Sequence, residues 1–280
     1  MTTRLAMVVL LLTFPGALSA QQAEAPASAP SLLSDRPEDF DTARRAFYNA
    51  DYDGAAMLMR TSCETGHDLA ACELRTTALL FQIRRAIGDS PDADAAWKRC
   101  AVCPSLFSAF MMSFTQGAAA ARARLQQSPD DDETLFLLGK LDLNYVWLQV
   151  GTLGRRTGLS EYREARRSLE RVLARQPTHV RARVARGWID YIVGTKMRAG
   201  TRWILGGGNK KRGLSAVRTA AATEAEFFAG IEARFALWDM QVRERDFSAA
   251  VNTARLLQRD FPHNPELKRF VEAHPESTRK

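Results

Sequence analysis

The chain has 280 residues, 46% of them hydrophobic and 25% charged, with a formal net charge of +7. That apolar content excludes intrinsic disorder, and the length suffices to bury a substantial core, as one elongated array or two compact domains. The charge balance bears on association and says nothing about fold.

Residues 1–20 read as a secretory signal. Arg4 supplies a positive start, residues 5–12 form an apolar run, Pro15 and Gly16 break it, and Ala17, Ser19 and Ala20 are small. Cleavage is expected after Ser19 or Ala20. The run is well short of the roughly 20 residues a membrane-spanning helix needs, and no cysteine lies near the cleavage point to carry a lipid. The mature protein is therefore expected in the periplasm or secreted. Residues 21–36, rich in Ala, Pro, Ser and Gln, read as a flexible leader, and residues 273–280 as a tail.

Between them no stretch alternates like a half-buried strand, and Gly and Pro fall between periodic segments, so the body is expected to be helical throughout. Residues 37–128 predict helical hairpins of irregular length. Asp51-Tyr52-Asp53-Gly54-Ala55 marks a turn and a second helix with Ala55-x3-Met59, yet His67 stands where a Pro is due. Between Ala95 and Gly117 the spacing is too short for a complete unit.

Residues 129–272 carry a repeat phase. Pro129 is followed ten residues later by Gly139, and Pro177 ten residues later by Gly187. Ala165-x3-Leu169 begins twelve residues before Pro177, and Ala250-x3-Ala254 twelve before Pro262. These offsets resemble the tetratricopeptide repeat, with L-G on a first helix, A-x3-F on a second and a closing Pro, in a unit of about 34 residues. The resemblance implies an all-α, TPR-like α-solenoid of stacked helical hairpins. Two repeats carry extra residues, fourteen and seventeen. The first insertion, near 141–158, reads as a longer first helix over 132–153, with Leu141, Tyr145 and Leu148 on one stripe and Gly151, Gly154 and Gly158 at its end and turn. The second, 194–210, reads as a loop. Beyond it the phase resumes at Ala216, Trp238, Ala250 and Pro262; Trp238 replaces the usual Gly and Ala254 the usual large apolar residue. The similarity to exported bacterial tetratricopeptide proteins covers 134–265 well and 40–127 loosely. Among such proteins, the soluble T-subunits associated with periplasmic binding-protein-dependent transporters are similar in architecture only.

Four cysteines in an exported chain point to disulfides. Cys63 and Cys72 flank a turn, and Cys100-Ala101-Val102-Cys103-Pro104 lies at a helix–helix junction. The first pair is similar to cysteine-containing Sel1-like repeats, in which bridged cysteines flank the turn at nearly this spacing. Three connectivities are open to four cysteines; local pairing, Cys63 with Cys72 and Cys100 with Cys103, is the expected one. Cys100-x2-Cys103 also has the spacing of a redox-active dithiol, against which stands the lack of a βαβ pattern around it. A zinc site is disfavoured by the spacing and the oxidising compartment.

No H-E-x-x-H, G-x-S-x-G or P-loop occurs, so no catalytic residue, cofactor or metal is expected. Asp130-Asp131-Asp132-Glu133 reads as helix-start chemistry and lacks the alternating ligands of a calcium loop. The strongest functional clue is charge. Residues 151–218 hold seventeen Lys and Arg against four Asp and Glu. A field of this sign attracts anionic lipid, lipopolysaccharide phosphates or an acidic protein; export disfavours nucleic acid. The partner- or anion-binding residues expected from it are Arg155, Arg156, Arg186, Arg202, Trp203, Lys210, Lys211 and Arg212. Trp203-Ile204-Leu205, set among cations, predicts either an interfacial wedge or a segment folded back on its own groove. The leading function is a non-enzymatic exported scaffold for a protein or peptide partner. The alternative is a periplasmic ligand-binding module holding a small acidic ligand near Arg155, Arg156 and Arg186.

Overall fold

The computed structural model describes residues 37–275 apart from positions 67, 89, 91, 156, 198, 199, 201, 203 and 204. The expected signal and leader, and the sites at Arg156 and Trp203, lie outside the described residues. Thirteen α-helices and one π-helical segment occur among the described residues, with no strand. They are α1 (Pro37–Tyr48), α2 (Tyr52–Leu58), α3 (Arg60–Glu64), α4 (Leu69–Ile87), α5 (Ala93–Arg99), α6 (Cys103–Gln127), α7 (Asp132–Val146), α8 (Leu159–Arg175), α9 (Val180–Lys196), α10 (Lys210–Ala222), α11 (Phe227–Arg243), α12 (Phe247–Asp260) and α13 (Pro265–Ala273).

Their starts are written in short acceptor side chains that satisfy free backbone N–H groups. Asp51, Asp68, Asp92, Asp131, Asn209, Asp246 and Asn264 all accept from the first turn that follows. The acidic run before α7 does the work expected of it: Asp131 caps the helix, while Asp130 and Asp132 take Arg171 and Arg175 from α8.

Helices pair in chain order as α1 with α2, α4 with α6, α7 with α8, α9 with α10 and α11 with α12. Glycines set two of these approaches. A Cβ on Gly139 would stand 3.2 Å from Leu169 and 3.4 Å from the Ala165 carbonyl; one on Gly187 would stand 2.9 Å from Val217 and 3.1 Å from the Gly213 carbonyl. The sequence landmarks on first and second helices therefore meet across their hairpins. The turns α1–α2 and α11–α12 are built alike. Ala50 and Arg245 take positive φ, Asp51 N–H and Asp246 N–H reach back five residues, and the same two aspartates cap the second helix.

The first insertion lengthens α7 as expected: a π-helical segment, Trp147–Thr152, carries the chain on to Leu153, so Gly151 lies within helix and Gly154 and Gly158, both at positive φ, make the turn. The second insertion is not wholly loop. α9 continues to Lys196, and Gly200 and Arg202 have helical backbone.

One feature departs from an open solenoid, in which each repeat touches only its neighbours. The first hairpin packs on the last. Tyr48 sits among Phe228, Phe235 and Phe261 at ring separations of 6.2, 5.1 and 5.4 Å. The α12–α13 turn grips the end of α1, with Asn264 Nδ2 donating to the Tyr48 carbonyl at 2.7 Å and His263 N–H donating to Asn49 Oδ1 at 3.3 Å.

The cysteines pair locally. Cys63 and Cys72 sulfurs lie 2.17 Å apart, Cys100 and Cys103 sulfurs 2.02 Å apart, and no cysteine is free. Cys63–Cys72 staples the end of α3 to the first turn of α4. Replacing both by Ala is expected to cost about 2–3 kcal/mol, the loop-closure entropy of so short a ring. Hydrogen exchange should show the loss chiefly in α1–α4 and leave α9 and α10 at wild-type rates.

Candidate functional site

The described residues of the expected basic site each have partners of their own or face solvent. Arg155 is exposed and lies over Trp97 and Phe107, at 5.8 and 5.4 Å from their ring centres. Arg186 is bound to Asp190 at 2.7 Å and to Glu170 at 3.3 Å, and shares no partner with Arg155. Arg212 makes a two-pronged pair with Asp190, at 2.7 and 2.8 Å. Burial pushes the Asp190 carboxyl up, but hydrogen bonds from Arg212 and Arg186 outweigh it and hold it below the ordinary range. Lys210 pairs with Glu244 at 2.6 Å, which also accepts from Tyr191. Lys211 is exposed, and the half-buried Arg202 has no hydrogen-bond partner at Nε. Next to Arg202, the Leu205 carbonyl accepts from Tyr162 and Arg166 of α8, so that part of the insertion folds back on its own helices.

Much of the basic field is thus neutralised by acids elsewhere in the fold. Arg171 and Arg175 meet Asp130, Arg181 meets Glu73 and Glu232, and Lys210 meets Glu244. Exposed cations remain on the second helices, at Arg163 and Arg167 of α8 and Lys211 and Arg218 of α10.

The residues the structure does bring together are four charges from four first helices. Lys140 of α7 contacts Glu232 of α11 at 2.6 Å and Glu73 of α4 at 3.6 Å. Arg181 of α9 contacts the same two, Glu232 at 2.6 Å and Glu73 at 3.2 Å. Two acids and two bases therefore alternate in a closed ring, with Arg181 also over the face of Phe136 at 4.7 Å. Side-chain exposure is 6% for Glu73, 15% for Glu232, 16% for Lys140 and 21% for Arg181. Burial opposes charge on Lys140, Arg181 and Glu232, but their partners prevail. Burial would lower Lys140, yet Glu232 and Glu73 hold its ammonium above the ordinary range. Burial would raise Glu232, yet Arg181 and Lys140 hold its carboxyl down to about 2. Sequence reading missed this ring. Its signal was a lone charge inside apolar first-helix runs, as in Leu137-Leu138-Gly139-Lys140-Leu141 and Gly230-Ile231-Glu232-Ala233.

Beside the ring an open depression is lined by Arg44, Phe136, His179, Arg181, Glu133 and Glu226. His179 is not a free base: its Nδ1 accepts from Ala182 N–H at 3.1 Å, and burial lowers its pKa, so it stays neutral.

A second buried cluster joins α6, α7 and α8. Asp142 is fully buried, and neither of its oxygens has a hydrogen-bond partner. Arg122 lies 3.6 Å away but spends its close contact, 2.5 Å, on Glu164. Burial, reinforced by the Glu164 charge, pushes Asp142 up to about 8.

No group of three or more His, Cys, Asp or Glu side chains suited to a metal occurs among the described residues. No helix among them is long and apolar enough to cross a membrane. Comparison with protein families, curated proteins and solved structures finds no match to this chain.

Proposed function

We propose that this chain is an exported helical-repeat protein of tetratricopeptide type that acts as a scaffold in the cell envelope, holding a protein or peptide partner rather than converting a substrate. The observation that carries the reading is the repeated hairpin: landmark glycines on the first helices of two units meet the landmark alanine segments of their second helices, and two turns share one construction. Disulfide pairing of all four cysteines supports an oxidising compartment.

The face available to a partner is the outer one. The centre of the first-helix layer is filled by the charge ring and Tyr48, whereas α8 and α10 turn unpaired cations outward. The expected partner presents an acidic surface. Its capture is expected to weaken with salt, because the Debye length falls from about 10 Å at 0.1 M to about 3 Å at 1 M. Lys210 and Arg212 are poor test positions, since each holds an acid of the fold. Reversing Arg163, Arg167 and Lys211 to Glu should instead lower the association rate for partners captured from native envelope extracts, with helicity by circular dichroism unchanged. Capture that ignores both salt and reversal would make these cations a solvated face only.

A further inference from the structure

The two disulfides are not equivalent. Cys63 and Cys72 are both fully buried. Cys100 is partly exposed, and the residues that follow it, Ala101 and Val102, are exposed, Val102 at 55%. Its partner Cys103 is fully buried and is the first residue of the 25-residue helix α6, followed by Pro104. Its place in the first turn puts that sulfur at the positive end of a long helix, which favours a thiolate there.

The surroundings favour the same charge state. Lys98 and Arg99 close α5 just before Cys100, Arg155 stands over Trp97 and Phe107, and no acidic residue occurs between 101 and 121. The exposed side of α6 leading away from the pair is an apolar trough lined by Phe107, Ser108, Met111, Met112 and Thr115. Surface helices ordinarily turn charge to water; this one offers none for five turns. A polypeptide segment with apolar flanks fits such a trough, and its cysteine would arrive beside Cys100.

We propose that Cys100–Cys103 is a thiol–disulfide exchange site for cysteine-bearing polypeptide segments, in addition to the scaffold role. A substrate thiolate attacks Cys100 Sγ, the Cys100–Cys103 bond breaks, and its electron pair leaves on Cys103 Sγ at the α6 N-terminus. A second substrate thiolate then attacks the substrate sulfur of the mixed disulfide and displaces Cys100. The two protein sulfurs carry away two electrons and take up the two protons lost by the substrate thiols, so one dithiol is oxidised for each protein disulfide reduced. The lack of a βαβ unit around the motif separates this chain from thioredoxin-like folds and leaves this chemistry untouched.

The test uses the oxidised full chain under native conditions, with a short reduced peptide carrying two cysteines between aromatic and aliphatic residues. Thiol alkylation followed by peptide mapping reads which protein disulfide opens. The expected result is that Cys100–Cys103 opens at least tenfold faster than Cys63–Cys72, with one peptide oxidised per chain. With Cys103→Ser, a one-cysteine version of the peptide supplied as its symmetric disulfide should remain on Cys100 as a mixed disulfide, one peptide thiol being released, because no second thiol is left to displace it. The proposal is overturned if both disulfides open together, or only on unfolding. It is equally overturned if the peptide oxidises no faster than with the Cys100→Ser/Cys103→Ser double variant. The wild-type measurement needs no variant to fold, and partner capture in 1 M salt is a separate readout that bears only on the scaffold.

Discussion

Glu232→Gln is expected to destabilise the fold by about 3–5 kcal/mol, because it leaves Lys140 and Arg181 facing one acid in a largely buried site. The four charges are worth little as a replacement for apolar packing, but breaking a closed ring strands the survivors. An exposed ion pair would cost about 1 kcal/mol or less, so urea denaturation separates the cases. The pH dependence has a defined sign. Glu232 is held at about 2 in the fold against about 4.5 ordinarily. Its contribution is therefore complete above about 4.5 and is lost as pH falls toward 2. The variant should flatten that acid limb. Exchanging the charges, Lys140→Glu with Glu232→Lys, keeps two acids and two bases but sets like charges beside Glu73 and Arg181. Partial recovery at best is expected, and full recovery would show that the pair acts without the rest of the ring.

Asp142→Asn is expected to have the opposite effect. The fold favours the protonated carboxyl, raised to about 8 from an ordinary 3.8. A raised acid gives its full stability below the ordinary value and loses it as pH climbs through 8, because the unfolded chain releases the proton first. The variant should match the wild type near pH 4 and exceed it by several kcal/mol at pH 8, with about 5 kcal/mol the ceiling set by the rise from 3.8 to about 8. Urea titrations at both pH values check this. Lower stability of the variant at pH 8 would mean that Arg122 binds an ionised Asp142 directly, despite its closer bond to Glu164.

These two clusters mark how far the sequence could be read. Periodicity determined the helices, since apolar stripes and capping Asp and Asn side chains act within a few residues of themselves. The same locality made the long α7 visible, through Leu141 and Leu148 continuing one face, and placed a hairpin turn at Asp51. Short sequence separation likewise favoured local disulfides, which need only a turn to bring their sulfurs together. Charge partners obey no such limit. Lys140 and Glu232 are 92 positions apart, and Glu73 and Arg181 are 108 apart; a lone charge in an apolar run hints at burial, but nothing local names its partner. Counting cations over 151–218 therefore overstated the free field, because acids of α4, α7, α11 and their flanking turns neutralise part of it and Glu170 and Asp190 hold more. The meeting of the first hairpin with the last was equally invisible. Tyr48 and Asn264 touch across 216 positions, beyond the reach of any local pattern. The sequence by itself determined the helices and their hairpins through short-range forces. Only the tertiary structure decided which charges are spent inside and which remain for a partner, because Coulomb attraction and burial depend on distance in space.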